Sequence, residues 1–488
     1  MPLTAFLLFL NFLIPFIFFS LAYSEHLSTG VIVTWDNAAD MLLTNLIREN
    51  HILLTGHYSR FVIHHPGPFF FYTNYIFETL FSVFFESRYN TWFLAAICLN
   101  SFFISIGAYL TGFYFPKRDR LLTGIFYSLS SLYFFRFFPA DTLLSMPVKV
   151  VLPFLSFISA IPLLLGRNLP KILPFLIFLN LVLVHAYIGT AILSSILMLI
   201  FLVPFLKQKP SLFQKPILLS FLLIFLFSAP FLIDLFFSKT SNFQEIIKFL
   251  KYRKPLFPKP NWQETFEFTF LFWKTNLNLW TLLGIIPFLL LLLLQKKQKP
   301  KKLLLFHLLS TGIFTIFFIV YHRFSVKPLL EFTGYYNRML PVNLLILIVL
   351  YSSGTYYKKY IFLKRFLLIL LSFILSVFLV QHIRQKKNPP LSYPFIKQIS
   401  ETIIRQKPES IRIGYFEHMD WPYIAGILLY LRDKGQAACT DKKHMAFLYT
   451  ENAICKENEK PNFLLYNKAN CPENPLLIVN NYCLIQNQ

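Results

Sequence analysis

The sequence is poor in charge. Asp, Glu, Lys and Arg make up 14% of its 488 residues, against roughly a quarter in soluble globular domains, while apolar residues reach 56%. That shortfall excludes a soluble enzyme, because several apolar runs approach or exceed the ~20 residues that cross a bilayer. Phosphate-binding fingerprints are missing: there is no P-loop and no GxGxxG, which removes the usual nucleotide-binding classes. No internal repeat is visible and the apolar runs carry few charges; both argue against a transporter or lipid flippase. Cysteine is sparse, five in all, and none falls in a CxxC pair, so no zinc pattern is present. Met1 to Tyr23 has neither a charged n-region nor a small-residue cleavage motif and reads as a retained first span.

What charge there is lies unevenly. Lys and Arg outnumber Asp and Glu by 46 to 23. Five short loops, around Lys117–Arg120, Arg167–Lys171, Lys207–Lys215, Lys296–Lys302 and Lys358–Arg365, hold 17 basic residues and a single acid, Asp119. That is the positive-inside signature of cytoplasmic loops, and it sets aside a nucleic-acid surface as the cause of the net charge of +23. Placing these loops inside predicts about 11 spans, near 3–23, 91–115, 121–138, 148–166, 172–188, 189–206, 217–237, 279–295, 303–321, 338–357 and 366–381. The N-terminus then lies in the cytoplasm and the C-terminus outside. Arg136, Pro139, Asp141 and Pro147 interrupt the third and fourth spans. Phe69–Phe85 carries Asn74 and Glu78 and suits a helix in the outer interface rather than a span. Ser238–Asn278 reads as a second large outer loop, solvated or covering a site.

From His382 to Gln488 the apolar runs shorten and charge rises. IRIGYF (411–416), FLLYN and PLLIVNNY read as strands, and the segment 421–435 as a helix closed by Gly435. The expected architecture is therefore an α-helical polytopic membrane domain over 1–381, with outer loops 24–90 and 238–278. A small α/β domain over 382–488 follows it outside the cytoplasm. Cys439, Cys455, Cys471 and Cys483 all fall in that last domain, which fits two disulfides in an oxidising compartment; the spacing leaves their connectivity open. Cys98 lies in a span and reads as packing.

The stretch most suggestive of chemistry is Thr34–Tyr72, TWDNAADMLLTNLIRENHILLTGHYSRFVIHHPGPFFFY. Asp36 and Asp40, four apart, share one face of an amphipathic helix. Asp36 could instead cap that helix, with Asp40 a solvated residue; the functional alternative makes one carboxylate a general base where membrane meets water. The HHPGP turn is stiffened by two prolines around a glycine. His64 and His65 in it could donate to a phosphate or ligate. Two histidines without a third ligand make no metal site by themselves, so a divalent metal remains open as a cofactor.

The order acid, amphipathic helix, extended patch, then a Pro-x-Pro turn into aromatics resembles the first outer loop of the GT-C glycosyltransferases, in particular the group of protein O-mannosyltransferases and the lipid A aminoarabinose transferase. Asp36 stands at the family's catalytic Asp, and Asn37 replaces its usual acidic neighbour. His65-Pro66-Gly67-Pro68 stands where the family has a Lys-Pro-Pro turn. GYYNRMLPV, at the outer end of the tenth span, resembles a late-helix entry in these enzymes, where a basic residue helps hold the lipid phosphate; here that residue is Arg338. The resemblance implies a multi-pass enzyme of a bacterial inner membrane. It would pass a sugar from a polyprenyl-phosphate donor to an envelope acceptor on the outer face, with inversion, in contact with membrane lipid and no nucleic acid. His64, His65, Arg60 and Arg338 are the donor-phosphate candidates on chemical grounds, and Asp141, His185 and Glu331 are further polar residues near the same face. Other classes compatible with the chain are an O-antigen ligase or polymerase, a transporter or flippase, and a non-catalytic envelope-assembly protein with this fold. The topology is directly testable: a reporter that matures only in an oxidising compartment is expected to be active when fused after Gln488 and silent when inserted in the Lys296–Lys302 loop, and the reverse pattern would overturn the orientation.

Overall fold

A computed structural model describes residues 3–59, 63–85, 87–165, 170–206, 214–238, 241–251, 258–276, 298–355, 361–385, 389–415, 420–442, 445–456 and 460–487. Its contacts divide the chain into two compact units: Met1–Ser24 with Ala96–Asn388, and Glu25–Ala95 with Pro389–Gln488. Residues 25–95, which hold the acid pair at 36 and 40, thus share a unit with residues 389–488.

The larger unit is helical. Among the described residues, six helical stretches are long and apolar enough to cross a membrane: Ala5–Ala22, Arg88–Tyr114, Met146–Leu164, Lys215–Phe237, Leu304–Phe324 and Arg365–Gln385. Leu173–Ala186 and Ile188–Val203 are shorter apolar helices, and Arg120–Phe135 and Met339–Thr355 are also helical. The expected span at 279–295 lies outside the described residues. Helix Arg120–Phe135 stops where Arg136 and Pro139 interrupt the apolar run, and a 3-10 turn, Ala140–Leu144, leads on to Met146. Lys215–Phe237 and Ile361–Gln385 leave large apolar side chains uncovered, Phe221, Phe225, Phe236, Phe366 and Phe373 among them, as expected of lipid-facing helices.

Small and polar residues line the inside of this unit. Ser156 Oγ donates to the Phe103 carbonyl at 2.7 Å, and Ser159 Oγ donates to Asn343 Oδ1 at 2.7 Å. A Cβ at Gly107 would sit 2.4 Å from Ser156 Oγ and 2.5 Å from the Tyr127 hydroxyl, so glycine is needed there for the helices to approach. Asp119, the one acid of the basic loops, is buried and accepts from Arg365 at 3.2 Å. That pair joins two of the loops assigned to one side by charge. The described parts of 238–278 are two helices, Asn242–Lys251 and Trp262–Asn276, rather than irregular loop. The second starts with a capping box: Asn261 Oδ1 accepts from the Glu264 amide and Glu264 Oε2 from the Asn261 amide, both at 2.8 Å.

The smaller unit is α/β. Strands β1 (Ile411–Tyr415), β2 (Ala438–Thr440), β3 (Phe463–Asn467), β4 (Leu477–Val479) and β5 (Tyr482–Gln486) form one sheet in the order β2-β1-β3-β5-β4. β1 pairs in parallel with β2 and β3, and β5 runs antiparallel to β3 and β4. Helix Trp421–Asp433 makes the crossover from β1 to β2. It ends at Gly435, whose φ of 75° is open to glycine at no steric cost. The disulfides are Cys439–Cys455 and Cys471–Cys483.

Helix Trp35–Arg48 packs against helix Trp421–Asp433 within this unit. Ala38, Ala39, Met41, Leu42, Leu43 and Ile47 supply its buried face, and they are mostly strong helix formers. Asn50, at φ 61°, closes it: the Asn50 and His51 amides return to the carbonyls of Ile47 and Leu46. Glu78, on helix Phe69–Phe81, ties the elements together. It is 3% exposed and accepts from Arg48 at 2.6 Å, from Arg88 at 3.0 Å and from the buried Trp92 indole. Arg88 also donates to Asn45 Oδ1 at 2.9 Å, the Met41 carbonyl at 3.1 Å and Asp433 at 3.2 Å. Removing one partner of a buried pair strands the others, so Glu78→Ala is expected to cost about 3–5 kcal/mol of folding free energy, read as a lower Tm for the detergent-purified protein. A loss below about 1 kcal/mol would place this cluster with ordinary surface pairs.

Candidate active site

The site is built on the first turn of helix Trp35–Arg48. Thr34 is the N-cap residue and Asp36 sits inside the helix, so Asp36 is not the cap that one sequence reading made it. The chain enters the helix through Trp35 at φ 56°, a left-handed conformation that a bulky residue adopts at a cost on the order of 1–3 kcal/mol. The preceding segment is held from both sides. The Ile32 amide donates to Ser392 Oγ at 3.1 Å, and the Ile32 carbonyl accepts from the Tyr393 amide at 3.2 Å. Helix Trp421–Asp433 then comes close enough that a Cβ on Gly426 would lie 2.8 Å from the Val33 carbonyl oxygen. At the far end of the helix, Glu49 accepts from Asn452 at 2.8 Å and pairs with Arg432 at 3.7 Å.

Residues 56–59 run antiparallel to residues 63–65. The Gly56 amide donates to the His65 carbonyl and the His65 amide to the His57 carbonyl, each at 2.8 Å, and Tyr58 bridges His64 antiparallel. This pairing delivers two side chains to the two acids of the helix. Tyr58 donates its hydroxyl to an Asp36 carboxylate oxygen. His57 Nδ1 lies 2.6 Å from Asp40 Oδ1, and because an ionised carboxylate only accepts, the histidine donates. Asp40 is 2% exposed, whereas Asp36 is open to solvent. Carboxylates one turn apart thus have opposite surroundings, one sealed by an imidazole and one oriented by a phenol and accessible.

Burial and the neighbouring Asp36 and Asp40 push the Tyr58 hydroxyl well above the ordinary tyrosine range, so it stays protonated and remains a donor. His65 is buried beside the His57 ring, centroids 6.1 Å apart. Burial first, then the charges of His57 and His64, push it down to about 3. It is therefore neutral at physiological pH and offers an N–H rather than a cation. An aromatic group adjoins: Trp421 stands edge-on to both Trp35 and Tyr58, each at a centroid distance of 6.1 Å, and Tyr449 donates its hydroxyl to the Trp421 carbonyl at 3.0 Å.

The remaining sequence candidates scatter. Arg60 lies outside the described residues. In the larger unit, Arg338 stacks over Tyr335 at 4.2 Å and lies 3.9 Å from Glu331, so those two come together. His185 is buried with Nε2 2.8 Å from the Phe227 carbonyl, an interhelical bond, and Asp141 is exposed on the Ala140–Leu144 turn. Among the described residues no group of three or more His, Cys, Asp or Glu side chains gathers to hold a metal, and no catalytic step is assigned to one. His57, Tyr58, Trp35 and Trp421 were missed by the sequence reading. The alternation of His57 and Tyr58 after Gly56 was the signal for the first two.

No family model and no curated protein matches the sequence. Solved structures do match. ArnT from Cupriavidus metallidurans bound to undecaprenyl phosphate aligns with a TM-score of 0.58 at 12% identity, over 98% of this chain and 97% of that one. The apo state of the same protein gives 0.54 at 12% identity and the same coverage. The chain shares the fold of these ArnT structures. AglB from Archaeoglobus fulgidus, in complex with an inhibitory peptide and a dolichol-phosphate, aligns at 10% identity with a TM-score of 0.44, over 96% of this chain and 70% of that one.

The depressed His65 pKa makes a stability prediction. Unfolded, a histidine titrates near 6.5; folded, His65 takes a proton only near 3. The unfolded chain therefore binds more protons between these values. The stability tied to neutral His65 is present above pH 6.5 and lost as pH falls toward 3. His65→Gln is expected to lose less Tm than the wild type between pH 7 and pH 4.5, and equal slopes would contradict the assignment.

Proposed function

We propose that this protein is a membrane glycosyltransferase that moves a sugar from a polyprenyl-phosphate donor to an envelope acceptor on the outer face of a bacterial inner membrane. One observation carries the reading: Asp36, at the position the GT-C resemblance gives the catalytic Asp, is the accessible carboxylate of the pair and is oriented by Tyr58. The fold is shared with a structure that holds undecaprenyl phosphate, and such donors reach an enzyme by dissolving in the bilayer.

In the proposed reaction an acceptor hydroxyl gives its proton to Asp36 as its oxygen attacks the anomeric carbon. The bond from that carbon to the phosphate oxygen breaks on the opposite face, and polyprenyl phosphate leaves with the electron pair, so configuration inverts. Arg338, Arg60 and His64 are the residues proposed to meet the growing negative charge, which is worth more at a low-dielectric interface than in water. Neutral His65 contributes an N–H at most. Tyr58 holds the Asp36 carboxylate in one orientation, and Asp40 acts at one remove by holding His57 beside Tyr58.

In membranes supplied with radiolabelled polyprenyl-phosphate sugars, Asp36→Asn is expected to lower transfer about 10²–10⁴-fold while the protein still inserts. Tyr58→Phe should fall much less, since the base remains and only its orientation is relaxed. Full transfer by Asp36→Asn would sink the base assignment. Loss in Arg338→Ala with Asp36→Asn unaffected would favour ligase-like chemistry.

A further inference from the structure

Beside Asp36 stand three aromatic rings, and the proposed chemistry uses only the hydroxyl of one of them, Tyr58. Trp35 is 44% exposed, half-buried Trp421 stands edge-on to it, and Tyr58 completes the group. Two of the three come from the first outer loop and one from the C-terminal region, and each is fixed independently. Trp421 is pinned through its carbonyl by Tyr449, and its helix approaches the chain at Val33 only because residue 426 is glycine. Tyr58 is held by its pairing with His64 and by Asp36.

Trp35 is the informative member. Its φ of 56° is a conformation that glycine takes freely and a bulky side chain does not. Strain of this kind persists where the surrounding structure imposes it, and it clusters at binding sites. A tryptophan kept there for packing would be covered, yet nearly half of this one is not. Its neighbour in sequence is the accessible carboxylate.

We propose that Trp35, Trp421 and Tyr58 form a subsite for a pyranose ring next to Asp36. One face of a pyranose is a patch of C–H bonds, which suits the negative face of an indole, while its hydroxyls lie at the rim, where Asp36 accepts. The subsite would hold the sugar by its apolar face and leave a hydroxyl or the anomeric centre toward the carboxylate. This inference rests on the transferase reading of Asp36, but its test does not require turnover.

The full-length protein is purified in a detergent without a sugar headgroup and examined by saturation-transfer NMR. The probes are the methyl pyranosides of mannose, glucose and arabinose, with glycerol as control. Ring C–H protons of at least one glycoside are expected to be saturated above the control. Trp35→Gly and Trp421→Ala should each weaken that binding about tenfold, and Trp421→Phe should restore most of it. Trp35→Gly also removes the strained backbone, so its Tm should be unchanged or higher while binding falls, which a merely structural tryptophan would not show. If Trp421→Ala does not fold, Trp35→Gly decides. No saturation above glycerol for any glycoside, or saturation untouched by Trp35→Gly, overturns the subsite. So does quenching of Trp35 by brominated lipid without a glycoside signal, which makes it a membrane-interface anchor. The two readings fail separately: full transfer in Asp36→Asn removes the base and leaves a glycoside signal standing, whereas an absent signal removes the subsite and leaves transfer.

Discussion

The candidate site depends on a buried ion pair that takes no part in its chemistry. Glu78 and Arg88 are both nearly sealed from solvent, and between them they reach Arg48, Asn45, the Met41 backbone, Trp92 and Asp433. Desolvating two such charges is costly, and the cost is offset only when every polar atom finds a partner. Here the guanidinium spends its donors on three different elements, which only their native arrangement can satisfy at once. Its value is specificity of arrangement rather than raw stability. It fixes helix Trp35–Arg48 against helix Trp421–Asp433, and that contact sets where Asp36 lies relative to Trp421.

On this frame a single helical turn separates two acids in different surroundings, Asp40 buried and Asp36 exposed. A bare pair of exposed carboxylates at this spacing would repel. The paired segments 56–59 and 63–65 give each its own donor, the imidazole of His57 for Asp40 and the hydroxyl of Tyr58 for Asp36.

Much of this was legible in the sequence, and the limits have physical causes. Apolar runs, basic loops and the helix at 35–48 declare themselves through composition and period. So do Gly435 as a helix stop and the strands at 411, 463 and 477, because local sequence sets those features. The pairing of Cys439 with Cys455 and of Cys471 with Cys483 needed the sheet. That Asp40 is sealed and Asp36 open could not be read, since both lie on the same face by period and only the paired segments distinguish them. His65 looked like a donor to a phosphate or a ligand, its charge open. Burial makes it neutral, and burial is a property of the assembled unit. Trp421 was invisible as a site residue for the plainest reason: nothing in sequence announces that a helix near the C-terminus will pack on the first outer loop. Asn261–Glu264, in contrast, was a readable helix start inside what looked like loop.

The distance along the chain between the two halves of the site carries its own consequence. Ile32 and Ser392, hydrogen-bonded beside Asp36, are 360 residues apart in sequence. Closing a flexible loop of that length would cost about 5 kcal/mol of entropy, comparable to the whole net stability of a small domain. The disulfides do not offset it, because they close segments of only 16 and 12 residues within the C-terminal part; they stiffen the sheet and leave its union with the first outer loop noncovalent. Burial of the face that helix Trp35–Arg48 shares with helix Trp421–Asp433 opposes that cost directly. Tyr58 reaches Asp36 from only 22 residues away, but Trp421 joins Trp35 and Tyr58 only once the last hundred residues of the chain have folded.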